Sequence, residues 1–120
     1  MIIKSKAPLR ISFAGGGTDI EPYISQYGGK VISATINRYA YTTLKVRNDQ
    51  KIKIHSLDYN SEIEFNISDK IVYDGNLDLI KSVIKNLGIK GLSSGYDCYI
   101  KCDAPPGTGL GSSSAVIVSI

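Results

Sequence analysis

The sequence has few cysteines and histidines, no apolar run long enough to cross a membrane and no block of like charge. Its 120 residues carry 14 basic and 11 acidic side chains, which are scattered along the chain and give a net charge of +3. So small and dispersed a charge gives no reason to expect nucleic-acid or membrane binding. Only three residues precede the first lysine, Lys4, which argues against a signal peptide and predicts a cytoplasmic location.

The two cysteines, Cys98 and Cys102, lie in the alternating segment YDCYIKC. Four strand residues at about 3.3 Å each separate their α-carbons by roughly 13 Å, which is too far for a disulfide bond. We therefore expect buried structural thiols rather than a redox pair or a metal site. The single histidine, His55, alternates with Ile52 and Ile54 and is expected to be a polar strand residue.

Apolar residues make up 42% of the chain, which is enough to bury a hydrophobic core within one domain. Asn48 and Asp49 are typical turn residues, so we expect a hairpin between the segments on either side of them. Segments rich in β-branched and aromatic residues predict strands at 10–14, 31–36, 40–47, 51–56, 62–67 and 96–102.

The clearest helix is predicted at residues 77–87, where apolar residues recur with helical spacing. Asn76 is expected to cap its beginning and Gly88 its end. The residues expected on its core-facing side are Ile80, Val83, Ile84 and Leu87.

Two further helices are predicted, and together with the strands they indicate an α+β fold. One spans 20–27, with Pro22 in its first turn and Gly28 and Gly29 ending it. The other begins at Ser112 and has made only two turns where the sequence stops, in the middle of an apolar run. We therefore expect these 120 residues to be the N-terminal piece of a longer protein.

The stretch PPGTGLGSSSA is unusually rich in residues with little side chain. Gly107, Gly109 and Gly111 alternate with bulkier residues, which exposes consecutive backbone N–H groups. The loop then enters a helix N-terminus, where unpaired N–H donors and the positive end of the helix dipole favour an anion. Ser112, Ser113 and Ser114 would lie in the first turn, able to cap the helix, bind a phosphate or ligate a nucleotide's magnesium ion.

Other interpretations of this stretch are less suitable. The Walker A pattern requires a lysine before its hydroxyl residue, and Gly111 is followed directly by Ser112. GTGLGS misses the dinucleotide-binding GxGxxG by one position, and Pro105 and Pro106 would disrupt its tight turn. A purely structural loop with serine caps explains neither the alternation of glycines nor three successive serines.

A second glycine cluster follows the segment APLRISFA. Gly15, Gly16 and Gly17 suggest close approach of a ligand, and Thr18-Asp19 comes next, with the carboxylate able to accept hydrogen bonds from hydroxyls. Arg10 would supply a fixed cation on the same segment. The alternative is a glycine-rich bend with a solvated aspartate and a surface arginine.

Both clusters resemble motifs of the GHMP kinases, the superfamily of galactokinase, homoserine, mevalonate and phosphomevalonate kinases. The family pattern P-x-x-x-G-L-G-S-S-A is matched from Pro105 to Ser113, with Ser114 inserted before Ala115. APLRISFAGGGTD resembles the family's first motif. Galactokinases have Gly-Glu-His-Thr-Asp at this turn, whereas GGGTD is similar to the branch of D-glycero-D-manno-heptose 7-phosphate kinases and to fucokinase-type enzymes.

The resemblance implies the GHMP N-terminal domain, a mixed sheet with helices on one side and a left-handed β-α-β unit. Residues 1–120 would be the N-terminal part of the ATP-binding domain, without the remainder of that domain or the C-terminal domain. The expected partners are a small-molecule sugar phosphate and either a second copy of the chain or its missing C-terminal part.

The resemblance also implies an ATP- and magnesium-dependent kinase. Its reaction would be transfer of the γ-phosphoryl group to the anomeric hydroxyl of heptose 7-phosphate, giving the 1,7-bisphosphate for nucleotide-heptose biosynthesis. The family's catalytic aspartate lies beyond residue 120, so the fragment alone should be inactive. A non-catalytic anion- or dinucleotide-binding module is the alternative from another class.

Roles for individual residues follow from the same resemblance. Arg10 would stabilise charge near the transferring group, and Ser113 would coordinate magnesium, although Ser114 is the alternative. The sugar would be bound by Gly15, Gly16, Gly17, Thr18 and Asp19. The nucleotide would be bound by Pro106, Gly107, Thr108, Gly109, Leu110, Gly111, Ser112, Ser113 and Ser114.

Overall fold

The structure is a computed structural model that describes residues 1–87 and 93–120. The prediction that Gly88 caps a helix lies outside the described residues. In chain order the elements are β1 (Ile2–Ala14), α1 (Tyr23–Tyr27), β2 (Ile32–Val46), β3 (Lys51–Ser56), β4 (Ser61–Asn66), α2 (Asp78–Leu87), β5 (Tyr96–Cys102) and α3 (Ser112–Ser119).

The five strands of the described residues form one mixed sheet in the order β1-β2-β5-β3-β4, in which β3 and β5 pair in parallel and the other neighbours pair antiparallel. Helix α2 packs on one face of this sheet, where Ile80 and Ile84 meet Ile52, Ile54 and Cys98. Helix α3 packs on the same face, because its Val116 contacts the same cluster of buried residues. The mixed sheet with its helices confirms the predicted α+β class, while the hand of the β-α-β unit stays a prediction.

The core explains the cysteines and corrects one helix. Cys98 and Cys102 are buried and free, as predicted from their alternation. In α2, however, Leu87 is 69% exposed and Lys81 is buried in its place. Asn76 does not directly precede α2, because the helix starts only at Asp78. Helical spacing identified the helix correctly but placed its buried face too far towards the C-terminus.

The first two strands are longer than the sequence predicts. Strand β1 starts at Ile2 rather than at residue 10, because its N-terminal half pairs with β2 and tertiary pairing overrides weak local propensity. The two strands predicted at 31–36 and 40–47 are one strand, β2. The register between β1 and β2 shifts at Leu9. The β-bulge at this point accommodates the polar residues that separate the two predicted strands. Helix α1 is shorter than predicted and starts after Pro22.

The predicted hairpin at Asn48 and Asp49 is wrong, because β5 lies between β2 and β3. The Arg47 guanidinium spans this gap, with one nitrogen 2.6 Å from Asp97 on β5 and another 2.7 Å from Asp49 in the turn. Gly95 leads β5 into the sheet, and a β-carbon there would overlap the backbone of Lys51. A glycine is therefore needed where β5 enters beside β3.

Acid should weaken the sheet around the ion pair between Arg47 and Asp49. The hydrogen bond from Arg47 lowers the pKa of Asp49 from its ordinary 3.8 to about 2. A carboxyl whose pKa falls on folding stabilises the fold above its unfolded pKa, and this contribution disappears as the pH drops through the folded value. We expect the melting temperature to fall between about pH 4 and pH 2, and to fall less steeply in Asp49→Asn. Circular dichroism melts of both proteins test this, and identical acid profiles would contradict it.

Candidate functional site

The two glycine clusters lie on segments that the fold brings together. At the β-bulge of β1, the Arg10 N–H donates to the Leu110 carbonyl at 3.1 Å. The first motif is thus hydrogen-bonded to the glycine–serine loop through its own backbone. The Arg10 side chain is exposed at this junction.

The three alternating glycines of the loop all have left-handed backbone conformations. The φ angles of Gly107, Gly109 and Gly111 are +83°, +71° and +69°, which L-residues rarely adopt. A β-carbon added at any of them would meet no atom within 4 Å. The Thr108 hydroxyl donates to the Pro105 carbonyl at 3.0 Å and holds the turn. Glycine is therefore needed for backbone conformation, and each glycine faces open space.

Helix α3 begins directly after this loop with its first turn open to a ligand. Gly111 occupies the N-cap position, and no side chain within the described residues caps the helix. The first N–H groups of a helix have no partner inside it, so they face outward at this end. The serines lie in the first turn as predicted, but they do not serve as caps.

A cavity of about 880 Å³ lies between the loop and the beginning of α2, a size typical of small-molecule sites. Ser112 and Ser113 belong to its wall, whereas Ser114 does not. Its wall consists of Asp58, Tyr59, Ser61, residues 75–80, Cys102, Ala104, Pro106, Gly107, Gly109, residues 111–113 and Val116.

Two carboxylates in this wall were not foreseen. Asp58 accepts a hydrogen bond from the Cys102 N–H at 2.8 Å, and burial raises the pKa of its carboxyl against the effect of that bond. Burial alone would also raise the pKa of Asp78, but hydrogen bonds from the Gly75 N–H and the Lys81 ammonium lower it overall. Asp58 follows β3 and reaches the cavity through the pairing of β3 with β5, so its neighbours in sequence give no signal of this position.

The base of the loop is anchored to β2. Asp103 accepts hydrogen bonds from the Tyr39 N–H at 2.9 Å and from the Tyr41 hydroxyl at 3.3 Å. Partial burial and the negative charge of Asp103 raise the pKa of Tyr41, which keeps this hydroxyl a donor. The loop therefore leaves the sheet from a fixed point.

The turn after β1 is held together by its own residues. The Thr18 hydroxyl donates to the Gly15 carbonyl at 2.8 Å and accepts from the Lys30 N–H at 3.1 Å. A β-carbon on Gly15 would overlap the Lys30 carbonyl oxygen, so this glycine makes room for the chain itself rather than for a ligand. Gly17 instead faces open space at φ +90°, and Asp19 is exposed. Their role in sugar binding stays a prediction.

Part of the chain matches a known protein family, and nearly its whole length is similar to a known kinase. The family described as GHMP kinases N terminal domain matches residues 78–120, which include α2, β5, the glycine–serine loop and α3. Over 98% of its length the chain is 41% identical to D-glycero-alpha-D-manno-heptose 7-phosphate kinase of Campylobacter jejuni. Residues 78–120 match the GHMP kinase family, and the whole chain is similar to a kinase of that superfamily. Both glycine clusters are thus in a chain related to these kinases throughout its length.

Further sugar kinases resemble the chain in structure and in sequence. A solved D-glycero-D-manno-heptose 1-phosphate kinase from Bacteriodes thetaiotaomicron superposes with a TM-score of 0.87 and 37% identity, covering 99% of this chain and 39% of that one. The galactokinase of Chloroflexus aurantiacus is 31% identical over 97% of the chain. The chain spans 35% of the Campylobacter kinase and 29% of this galactokinase.

Among the described residues, no helix is both long and apolar enough to span a membrane.

Proposed function

We propose that this chain forms the nucleotide-binding part of an ATP-dependent sugar kinase that acts on D-glycero-D-manno-heptose 7-phosphate. The product would be the 1,7-bisphosphate, an intermediate of nucleotide-heptose biosynthesis. The observation that carries the proposal is the loop of left-handed glycines, which runs into an uncapped helix N-terminus beside a cavity of about 880 Å³.

The residues present fit a nucleoside triphosphate. The first N–H groups of α3 favour an anion, and the loop glycines leave its approach unobstructed. The remaining wall combines apolar side chains, such as Leu77 and Val116, with a few polar groups, as nucleoside sites require. ATP would supply the phosphoryl group when bound.

Magnesium would be carried mainly by the nucleotide. Within residues 1–87 and 93–120, no group of three His, Cys, Asp or Glu side chains lies close enough together to hold a metal ion. A magnesium ion readily keeps waters and phosphate oxygens as ligands and needs only one or two from protein. The Ser113 hydroxyl is the proposed protein ligand, since Ser113 lies in the cavity wall and Ser114 does not.

Phosphoryl transfer requires chiefly positioning and charge neutralisation, and the chain's own groups supply both. Backbone N–H groups of residues 107–113 would bind the phosphates. Arg10, hydrogen-bonded through its backbone to Leu110, would add a cation beside the loop. Asp19 would accept hydrogen bonds from sugar hydroxyls. The catalytic base, together with a C-terminal part or a second copy that closes the site, belongs to the proposed whole protein, which we place in the cytoplasm.

The substrate can be tested directly on the full-length protein that contains this chain. The names of the two heptose kinase relatives differ in the position of the phosphate, so the product must be identified by its mass and its phosphate position. We expect ATP-dependent turnover of heptose 7-phosphate to exceed that of fucose, galactose and mevalonate by at least about a hundredfold in kcat/KM.

Other outcomes would change the assignment. Preferred turnover of fucose would leave a kinase with a different sugar. ATP binding without turnover of any of these compounds would favour a non-catalytic anion-binding module, and binding of NAD but not ATP would favour a dinucleotide site.

A further inference from the structure

Helix α2 buries a lysine in a position where a charged residue is rare. The Lys81 side chain is only 6% exposed, although the neighbouring Lys85 lies on the surface. Lysine is almost never fully buried unless its charge is paired. Its ammonium lies 2.6 Å from Asp74 Oδ1 and 3.2 Å from Asp78 Oδ1, so the buried charge has two partners.

The same two carboxylates also bind the backbone of the segment that precedes α2. Asp78 accepts hydrogen bonds from the Asp74 N–H at 3.2 Å and from the Gly75 N–H at 2.8 Å. Asp74 accepts from the Asn76 N–H at 3.0 Å. Lys81 is therefore the centre of a network that includes every residue from 74 to 76 and the first residue of α2.

This segment has a backbone that needs such support. Leu77 has a φ of +53°, an uncommon value for a residue with a side chain, and Gly75 has a φ of +88°. Conformations of this kind persist where the surrounding structure holds them. The Asn76 side chain adds one more hydrogen bond, which its Oδ1 accepts from the Ser61 hydroxyl on β4 at 2.8 Å.

Residues 75–78 and the glycine–serine loop line the same cavity. The loop and the beginning of α3 suit the anionic end of a nucleotide, which leaves the wall made by Asn76, Leu77 and Ile80 for its nucleoside end. The shape of that wall depends on the network around Lys81, which itself does not line the cavity.

We infer that Lys81 is a positioning residue for the nucleotide site: it holds residues 74–78 in the conformation that receives the nucleoside part of ATP. This inference rests on the proposed function. Lys81 does not line the cavity, and it acts through the Asp74 and Asp78 carboxylates.

The test compares Lys81→Met, Lys81→Arg and Asp74→Asn with the control Lys85→Met in the full-length protein. Two probes are used, a fluorescent N-methylanthraniloyl ATP and inorganic tripolyphosphate, which has no nucleoside. We expect Lys81→Met to weaken ATP binding about tenfold and to leave tripolyphosphate binding within about twofold, because only the nucleoside wall changes. Lys81→Arg should restore most of the ATP affinity, Asp74→Asn should show a smaller loss, and Lys85→Met should match wild type.

Each other result overturns the inference. If Lys81→Met and Asp74→Asn melt at lower temperature but keep wild-type ATP affinity, Lys81 is only structural. An equal loss for ATP and tripolyphosphate would mean that the whole site is disturbed. A wild-type protein that binds neither probe would refute the proposed function itself, whereas unchanged binding in the variants refutes this inference alone.

Discussion

Replacing Gly109 by alanine should weaken ATP binding by about thirtyfold or more while the protein stays folded. Gly109 has a φ of +71°, and its added β-carbon would project into open space beside the cavity rather than into protein. The left-handed conformation costs an L-residue roughly 1–2 kcal/mol, which a domain can tolerate. The methyl group would instead occupy the space through which phosphate oxygens reach the loop's N–H groups. Isothermal titration calorimetry with ATP and thermal melts measure the two effects.

Gly28→Ala provides a control outside the cavity wall. Gly28 has a φ of +72° and a ψ of 152°, a region that only glycine readily adopts, and its added β-carbon likewise meets no atom within 4 Å. This variant should lose at least as much stability as the Gly109 variant and keep its ATP affinity. If the Gly109 variant bound ATP as well as the Gly28 variant, the loop could not be a phosphate cradle. Valine at position 109 would be a poorer test, because a β-branched residue at positive φ is a severe outlier.

Gly15→Ala should destabilise the fold by about 2–5 kcal/mol, the sum of roughly 1–2 kcal/mol for its left-handed backbone and about 1–3 kcal/mol for overpacking. Its β-carbon would overlap the Lys30 carbonyl oxygen, which must then move away from the turn. That movement would break the contact in which the Lys30 carbonyl accepts from the Thr18 hydroxyl at 3.1 Å. Urea unfolding of the variant, monitored by circular dichroism, measures the loss.

Gly17→Ala separates overlap from backbone conformation. Gly17 has a φ of +90° in the same turn, but an added β-carbon there has no neighbour within 4 Å. Its loss should stay near 1–2 kcal/mol, the cost of the left-handed conformation alone. Equal losses in the two variants would show that Gly15 does not closely approach Lys30.

Much of the local structure could be predicted because it depends on nearby residues. The strands at 51–56 and 96–102 were predicted with the observed bounds, since their alternation is strict. The burial of Cys98 and Cys102 followed from the same alternation. The start of α3 and the glycine–serine loop before it were also recognised, because alternating glycines permit backbone conformations that other residues rarely adopt.

Strand order depended on contacts between distant residues and could not be predicted locally. The turn at Asn48 and Asp49 is compatible with a hairpin, and nothing near it indicates that β5 will enter between the two strands. That insertion depends on Gly95 and on the Arg47–Asp97 ion pair, whose partners are 50 residues apart. The burial of Lys81 likewise becomes understandable only when the loop carrying Asp74 folds back over α2.

The sequence by itself determined the strands at 51–56 and 96–102, the start of α3 after the glycine–serine loop and the resemblance to the GHMP kinases, because each depends on a short segment of the chain. Tertiary structure decided that Asp58, residues 75–78 and the phosphate loop line one cavity, and that Arg10 is hydrogen-bonded to Leu110. The residues of the cavity wall come together only after β5 pairs with both β2 and β3. The free energy of such long-range pairing comes from burying a shared core, which no single segment encodes.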